Sequence, residues 1–319
     1  MNVRAAFWCC ATLGCFAAHA QTYPTRAVRL VVPYVPGGGT DFTARVIAPR
    51  LGEALGQQIV VENRPGGGTN IGSDLVAKAA PDGYTLLMAG AANAINMSLY
   101  ADPPYDTLRD LAAVSLSVKG ANVLLVHPSL PVKTLKELLA LARAQPGKLN
   151  YASSGLGSAN HMAGELLKLV AGVNITHIPY KGNAPALTDL IGGHVEILIS
   201  GVPAVIGQIR NGRVRAIAIA SLKRFPALPD TPTIDESGLK GFEATTWFGV
   251  MAPVKTPREI VTRLNAELAR IVAGADVRER FISEGVEPVG GSSELFAGFI
   301  RSEIDKYAKV VNAAGIKTE

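Results

Sequence analysis

No cysteine follows Cys15 in this 319-residue chain. That absence removes disulfides, a thiolate nucleophile and thiolate-bound zinc from any account of the body of the protein. Aromatic residues are few, at 6%, and charged residues reach only 18%, with no block of one sign. The basic excess of +5, from 31 Lys and Arg against 26 Asp and Glu, is therefore spread too thinly to track a phosphate backbone, and nucleic acid is not an expected partner. Beyond residue 20 no run of 18 apolar residues occurs, so nothing there reads as a membrane-spanning helix. Only His127, His161, His177 and His194 remain past that point. They form no i, i+4 pair, and neither a metal nor a cofactor is expected. What the chain does have is 48% hydrophobic residues, which excludes disorder and suffices for two cores.

The first 20 residues read as a secretory signal peptide. Arg4 supplies the positive start, Ala5 to Ala18 is almost wholly apolar, and Ala18-His19-Ala20 fits the small-x-small cleavage rule before Gln21. A core helix or membrane anchor is the bland alternative, although the apolar run is short for a span of about 20 residues. Thr12-Leu13-Gly14-Cys15 partly matches a lipoprotein site, with Thr12 departing from the usual aliphatic residue, so a lipid anchor at Cys15 stays open. All three cysteines would leave with a cleaved leader, and the charge would fall to +4 with the loss of Arg4.

Short β-branched runs then alternate with helical patterns, which predicts an α/β fold built from parallel βαβ units. Strands are expected at Val28–Tyr34, Ile59–Glu62, Thr85–Ala89, Val123–Val126, Ile175–Tyr180, Ile197–Ile199 and Ala216–Ala220. Thr134 with Glu137 forms a capping box ahead of Leu135, Leu138, Leu139 and Ala142, and Thr256-Pro257-Glu259 reads as a second such start. Pro49 should kink or shorten a helix over 42–55. Trp247-Phe248-Gly249 reads as a core strand. Chain crossings near Val123 and Ala220 divide the expected fold into 21–122, 123–225 and 226–319, the first and last forming one discontinuous lobe.

Three glycine loops lead from strands into helices: Gly37 to Asp41, Gly66 to Asn70, and Ser153 to Ser158. The first two share the phrase Pro-Gly-Gly-Gly-Thr, at 36–40 and 65–69. Open backbone N–H groups and the positive helix end suit such loops to a carboxylate or phosphate, although each is also an ordinary βα turn. Gly37, Gly38, Gly39 and Thr40 are candidates by their backbone, and Ser153, Ser154 and Ser158 add hydroxyls beside Gly155 and Gly157. Asp41 reads first as a helix N-cap that fixes its loop. Tyr180 and Lys181 follow a strand and could face an anion; a solvated turn lysine is the plain alternative. His161, in the first turn of its helix, reads as a supporting polar residue or a contact. No P-loop, dinucleotide fingerprint or nucleophile elbow is present: Asn160 stands where a third glycine would be, and Ala152 precedes Ser154 by two.

Taken in order, these phrases resemble the substrate-binding proteins of tripartite tricarboxylate transporters, the TctC or Bug-type receptors. The resemblance runs through Tyr23-Pro24, Val31–Asp41, Val61–Gly68, Pro81–Leu87, Ala94-Ile95-Asn96, Tyr151–Ser158, His161, Pro179–Gly182 and Thr246–Pro253. It implies a two-lobed periplasmic binding fold of the second type, with a small carboxylate in the cleft between lobes and no catalysis. A di- or tricarboxylate or an aromatic acid would be the ligand, and the membrane permease subunits of the transporter the transient partners of a monomer. It further implies that Tyr34, Gly37–Asp41, Asn93, Ser153–Gly155, Gly157, Ser158, Tyr180, Lys181 and Ser200 line the site. Relatives often carry Asp-Asn where this chain has Ser200-Gly201, and His where Asn93 stands; without an acid at Ser200 a ligand amine would lack a partner. The rival expectations are an exported hydrolase using Ser154 with a distant His and acid, or the same receptor fold serving a sensor.

Overall fold

The structure, a computed structural model, describes residues 23–316; the leader and its three cysteines lie outside them. Its elements are β1 (Val28–Val32), α1 (Gly39–Leu55), β2 (Ile59–Asn63), a 3-10 turn (Gly67–Thr69), α2 (Asn70–Ala77), β3 (Thr85–Gly90), α3 (Ala91–Leu99), β4 (Leu111–Val126) and α4 (Leu135–Ala144). They continue with β5 (Asn150–Ser153), α5 (Ala159–Ala171), β6 (Thr176–Pro179), α6 (Asn183–Ile191), β7 (Ile197–Gly201), α7 (Val202–Arg210) and β8 (Arg215–Ile219). The chain ends with β9 (Thr245–Pro253), α8 (Arg258–Ala273), α9 (Ala275–Ser283), β10 (Val286–Pro288) and α10 (Ser293–Ala314).

Two groups of parallel strands are joined through two long strands, β9 antiparallel to the first group and β4 antiparallel to the second. β2, β1 and β3 run parallel on one side, and β7, β5 and β6 do so on the other. Between them β4 changes partners: Leu111 to Ala121 pair with β9, and Asn122 to Val126 pair with β7. Asn122 stands at the change, and its amide donates to Ala244 O at 2.8 Å, one residue before β9 begins. The two crossings are thereby tied to each other. Helices cover both faces of each half. One face of the first half packs α1, α8 and α9, and its other face packs α3 and α10; the second half is flanked by α4 and α5 on one side and α6 and α7 on the other.

Helix α1 shows how the sequence drives this. Ala44, Ile47, Ala48, Leu51 and Leu55 recur on one buried face, each large aliphatic chain contributing about 1.5–3 kcal/mol on burial, and Gly56, left-handed at φ 71°, ends the helix. Pro49 does not shorten it. The proline lies on the exposed face, so the hydrogen bond it forfeits is lost where water can take the carbonyl. The Thr134–Glu137 capping box forms in both directions, but the second expected start does not: Pro257 takes the cap position of α8 without a side-chain bond, and Thr256 Oγ1 is buried without a partner.

Helix α5 belongs to both halves. Ala163, Leu167 and Ala171 enter the second core, whereas Ala159 and Met162 enter the first beside Ile95, Leu99, Trp247 and Val310. Trp247 is fully buried, as the apolar strand reading requires, and donates to Glu303 Oε2 at 3.0 Å.

Candidate ligand-binding site

Every βα loop that the sequence singles out leaves the C-terminal end of a parallel strand, where helix N-termini gather. In the first loop Gly38 holds the cap position of α1 and no side chain caps it. The first-turn amides of Gly39, Thr40 and Asp41 consequently have no intrahelical acceptor. Asp41 corrects the N-cap expectation: it is the third helical residue and reaches backwards. Its Oδ2 accepts from Gly37 N–H at 3.0 Å and Arg45 Nε at 2.9 Å, and its Oδ1 accepts from Asn63 Nδ2 at 2.9 Å. This is the acidic half of a capping box, displaced by one residue. Burial alone would disfavour the charge on Asp41, but the bonds from Arg45, Gly37 and Asn63 outweigh it and hold the carboxyl below its ordinary range. Asn63 also donates to Tyr34 O at 3.0 Å, fixing the start of the loop. Tyr34 is half-buried as a residue but its phenol is enclosed, and that burial, reinforced by Tyr105, pushes its pKa up against the pull of the Ala92 amide.

The second copy of Pro-Gly-Gly-Gly-Thr folds differently. Gly66, Gly67 and Gly68 all have positive φ, and so does Thr69 at 84°. Helix α3 clasps this loop: Asn96 Nδ2 donates to Gly68 O at 2.8 Å and to Asn70 Oδ1 at 2.7 Å, and Tyr100 OH donates to Gly67 O at 3.3 Å.

The serine–glycine loop carries Gly155 at φ 134° and Gly157 at φ 73°. Ser158 caps α5, accepting from His161 N–H at 3.2 Å and donating to Gly155 O at 2.7 Å. Ser154 donates to Asn160 Oδ1 at 2.9 Å, and Asn160 in turn donates to Asn122 Oδ1 at 3.3 Å, linking the loop to the strand crossing. Ser153 is fully buried, with its hydroxyl 2.7 Å from His177 Nε2. Ser154, the serine of the hydrolase alternative, thus engages an amide and not a histidine.

The two halves meet at glycines. A β-carbon on Gly182 would lie 3.6 Å from Val35 of the first loop, and one on Gly157 would collide with Leu99 and lie 3.6 Å from Asn96 Oδ1. The loop 180–182 sits against the serine–glycine loop through Tyr180 N–H to Ser153 O and Gly182 N–H to Ser154 O, at 3.2 and 3.0 Å. Tyr180 donates to Asp189 Oδ2 at 2.6 Å, and burial and that carboxylate push its pKa up to about 12. Lys181 is exposed and has no hydrogen bond or ion pair among the described residues.

Besides Ser153, two of the expected residues point into the protein. Asn93 is fully buried; its Oδ1 accepts from Gly90 N–H and its Nδ2 donates to Ser73 and Tyr105, each within 3.0 Å. Ser200 is equally buried and donates to Asn183 Oδ1 at 3.1 Å. Sequence reasoning missed Phe248, whose ring lies 3.0 Å from where a β-carbon on Gly39 would stand, and His177, which lies under Ser153. A strand alternation that puts His177 on the face of Ile175 was the available signal for the second. Among the described residues no group of three or more His, Cys, Asp or Glu is placed to hold a metal ion.

A family model described as the tripartite tricarboxylate transporter family receptor matches residues 43–316. The chain belongs to that receptor family. Its curated relatives include the protein BugT of Bordetella pertussis, 42% identical over 93% of this chain and 92% of the relative. A Pseudomonas sp. protein from the tcbD–tcbE intergenic region is also 42% identical, over 92% of this chain and 88% of its own length. Among solved structures, R. palustris Rpa4515 with adipate superposes with a TM-score of 0.88 at 40% identity, covering 92% of this chain and 99% of that one. MatC from Rhodopseudomonas palustris with bound malate gives 0.85 at 33% identity, over 91% and 100%. The fold is accordingly the α/β periplasmic binding fold with its ligand cleft between two lobes, and the chain is a TctC/Bug-type solute receptor.

Proposed function

We propose that this receptor works in the periplasm, closing its two lobes on a small dicarboxylate and presenting it to the membrane permease subunits of a tripartite tricarboxylate-type transporter, as a monomer without catalysis. One observation carries the ligand class. The uncapped N-terminus of α1 and the serine–glycine loop before α5 approach the same seam, where Val35 reaches Gly182. Two oriented sets of N–H groups separated by a closable gap suit a short molecule with a negative group at each end. Adipate and malate, named with the two structural relatives, are ligands of that kind.

In this reading the backbone of Gly37, Gly38, Gly39 and Thr40 takes one carboxylate, with Tyr34 and Asp41 shaping the loop. Ser154, Gly155, Gly157 and Ser158 shape the second loop, whose open first-turn amides at Ala159 and Asn160 take the other, and Lys181 adds uncommitted positive charge beside Tyr180. Asn93, Ser153 and Ser200 support these loops from within. Buried Ser200 brings no charge to the cleft, which argues against a ligand amine. In the same reading the first lobe comprises residues 23–121 together with 245–316 and the second 122–244, a division supported by the packing of Ile234, Phe242 and Ala244 with Leu124, Ile199 and Ala218. Closure needs only that the ligand binds the closed state more tightly, because both loops then touch it at once.

The test is a thermal-shift screen of refolded protein from residue 21 onward against mono-, di-, tri- and aromatic carboxylates and amino acids. A saturable rise restricted to dicarboxylates is expected. Selective stabilisation by aspartate or glutamate, or by no acid at all, would overturn the assignment.

A further inference from the structure

Beneath the serine–glycine loop lies a buried polar cluster that ligand contact alone does not explain. His161 and His177 stack with ring centroids 4.0 Å apart and planes 21° apart, and Tyr151 stacks on His177 at 4.8 Å. His161 is 2% exposed. We infer that these two imidazoles are positioning residues of the site proposed above: neutral, they hold the loop in its binding shape, and protonation of His161 releases it.

The hydrogen bonds set the protonation state. Gly157 N–H donates to His161 Nδ1 at 3.2 Å. A backbone N–H can only donate, so Nδ1 keeps its lone pair and the ring proton sits on Nε2, which faces Glu165 Oε1 at 4.0 Å. Ser153 Oγ accepts from Gly155 N–H at 3.2 Å and lies 2.7 Å from His177 Nε2. The two rings therefore fasten the loop at both of its left-handed glycines, through Ser153 in one case and directly in the other. A proton on Nδ1 of His161 would set one donor against another, and the stacked neighbour leaves no room to separate two imidazolium charges.

The surrounding charges do not favour that proton. Glu165 is the one carboxylate facing the pair from α5, and it is already engaged by Tyr151 OH at 2.6 Å and Lys168 Nζ at 2.8 Å. From the other lobe α3 brings uncharged Asn96 and Leu99 to Gly157, and Glu303 of α10 is committed to Trp247 and Lys306. Burial, then Lys168, lowers His161 from 6.5 to about 4; burial, then His161, lowers His177 to about 3. A state with the loop lifted and His161 in water would protonate near 6.5. Falling pH thus favours the lifted state from about 6.5 down to about 4, and the loop-held state is at full strength above 6.5.

Hydrogen exchange at Gly157, measured by NMR on the ligand-free protein between about pH 7.5 and pH 5, tests this. The ring nitrogens of His161 should report the Nε2–H tautomer, and the Gly157 protection factor should fall in step with proton uptake by His161. In His161→Asn the side-chain oxygen replaces Nδ1 as acceptor without titrating, so protection should stay within about threefold and lose its pH dependence; His161→Leu should lose about tenfold or more at every pH. Flat wild-type protection, an Asn variant that titrates like wild type, or a Leu variant protected like wild type would each overturn the inference. Adding malate and adipate separates the two claims: if neither perturbs the protein while Gly157 still follows His161, the dicarboxylate reading fails and this one stands.

Discussion

The same five residues, Pro-Gly-Gly-Gly-Thr, appear at 36–40 and 65–69 and fold in two ways. At 36–40 only Gly37 has a positive φ, and the helix starts at Gly39. At 65–69 three glycines and the threonine turn left-handed before a helix starts at Asn70. The residue that follows accounts for the difference. Asp41 can recruit Gly37 N–H, Arg45 and Asn63 to its carboxylate, which pulls the loop down onto its own helix. Asn70 offers a neutral oxygen, which Asn96 of α3 takes, and the loop is held from outside instead. A loop clamped by its own helix keeps its amides open at the lobe seam, whereas a loop clamped by a neighbour spends carbonyls on that neighbour. Identical local sequence therefore gives open amides at the lobe seam in one place and a packed loop in the other.

The largest effect expected from breaking this contrast is at Asp41. Asp41→Ala removes the charged acceptor shared by Gly37 N–H, Arg45 and one N–H of half-buried Asn63, and should cost about 2–4 kcal/mol in urea unfolding, with loss of ligand binding. Asn70→Ala removes one neutral bond from Asn96 and should cost about 1 kcal/mol. Equal costs would mean that the two loops are held alike. Acid sharpens the same point. Because the Asp41 pKa is lowered from 3.8, its stabilisation is present above that value and disappears as pH falls through the lowered one. Asp41→Asn should therefore flatten the acid end of the stability profile below about pH 4 and leave the region between pH 4 and 6.5, where His161 titrates, unchanged.

Next in size is Gly68→Ala. Gly68 sits at φ 61° with Tyr100 OH 2.5 Å from the position of a new β-carbon, so left-handed strain of about 1–2 kcal/mol adds to displacement of the tyrosine. Chemical denaturation should show a total near 2 kcal/mol with dicarboxylate affinity retained to within about threefold in folded protein. A large affinity loss would place the second loop in the site as well.

Much of this architecture was legible in the residues. The alternation of β-branched runs and helical patterns located seven strands, the Thr134–Glu137 box marked α4 to the residue, and the glycine loops fell where helices begin. Residues 111–121 of β4 were not legible, because Ala, Ser, Gly and Lys dilute its β pattern; it is a strand because β9 and β10 supply partners from far along the chain. Strand β5 was hidden for the same reason, being four residues long and defined by β6 and β7. At the site, the loops could be read but the direction of each side chain could not. Asn93 and Ser200 carry polar groups that suit a ligand, yet their partners come from Ser73, Tyr105 and Asn183, contacts that only the folded chain creates.

The smallest change in stability should come at Gly39, and it separates folding from binding most cleanly. Gly39 is already helical, so alanine there gains up to about 1 kcal/mol of helix propensity and meets no left-handed strain. Against this, its β-carbon would stand 3.0 Å from the edge of the Phe248 ring, which is 8% exposed and also faces Gly90 at the start of α3. The ring must yield by a few tenths of an ångström, and the two terms should nearly cancel, leaving unfolding within about 0.5 kcal/mol of wild type. Binding has no such compensation, because a methyl group beside the open first-turn amides stands where a carboxylate would approach the backbone. Dicarboxylate affinity should fall about tenfold or more. Phe248→Leu, which relieves the crowding, should not return affinity. Recovery of affinity would show that Gly39 serves packing alone, and the first loop would then differ from the second only in its shape.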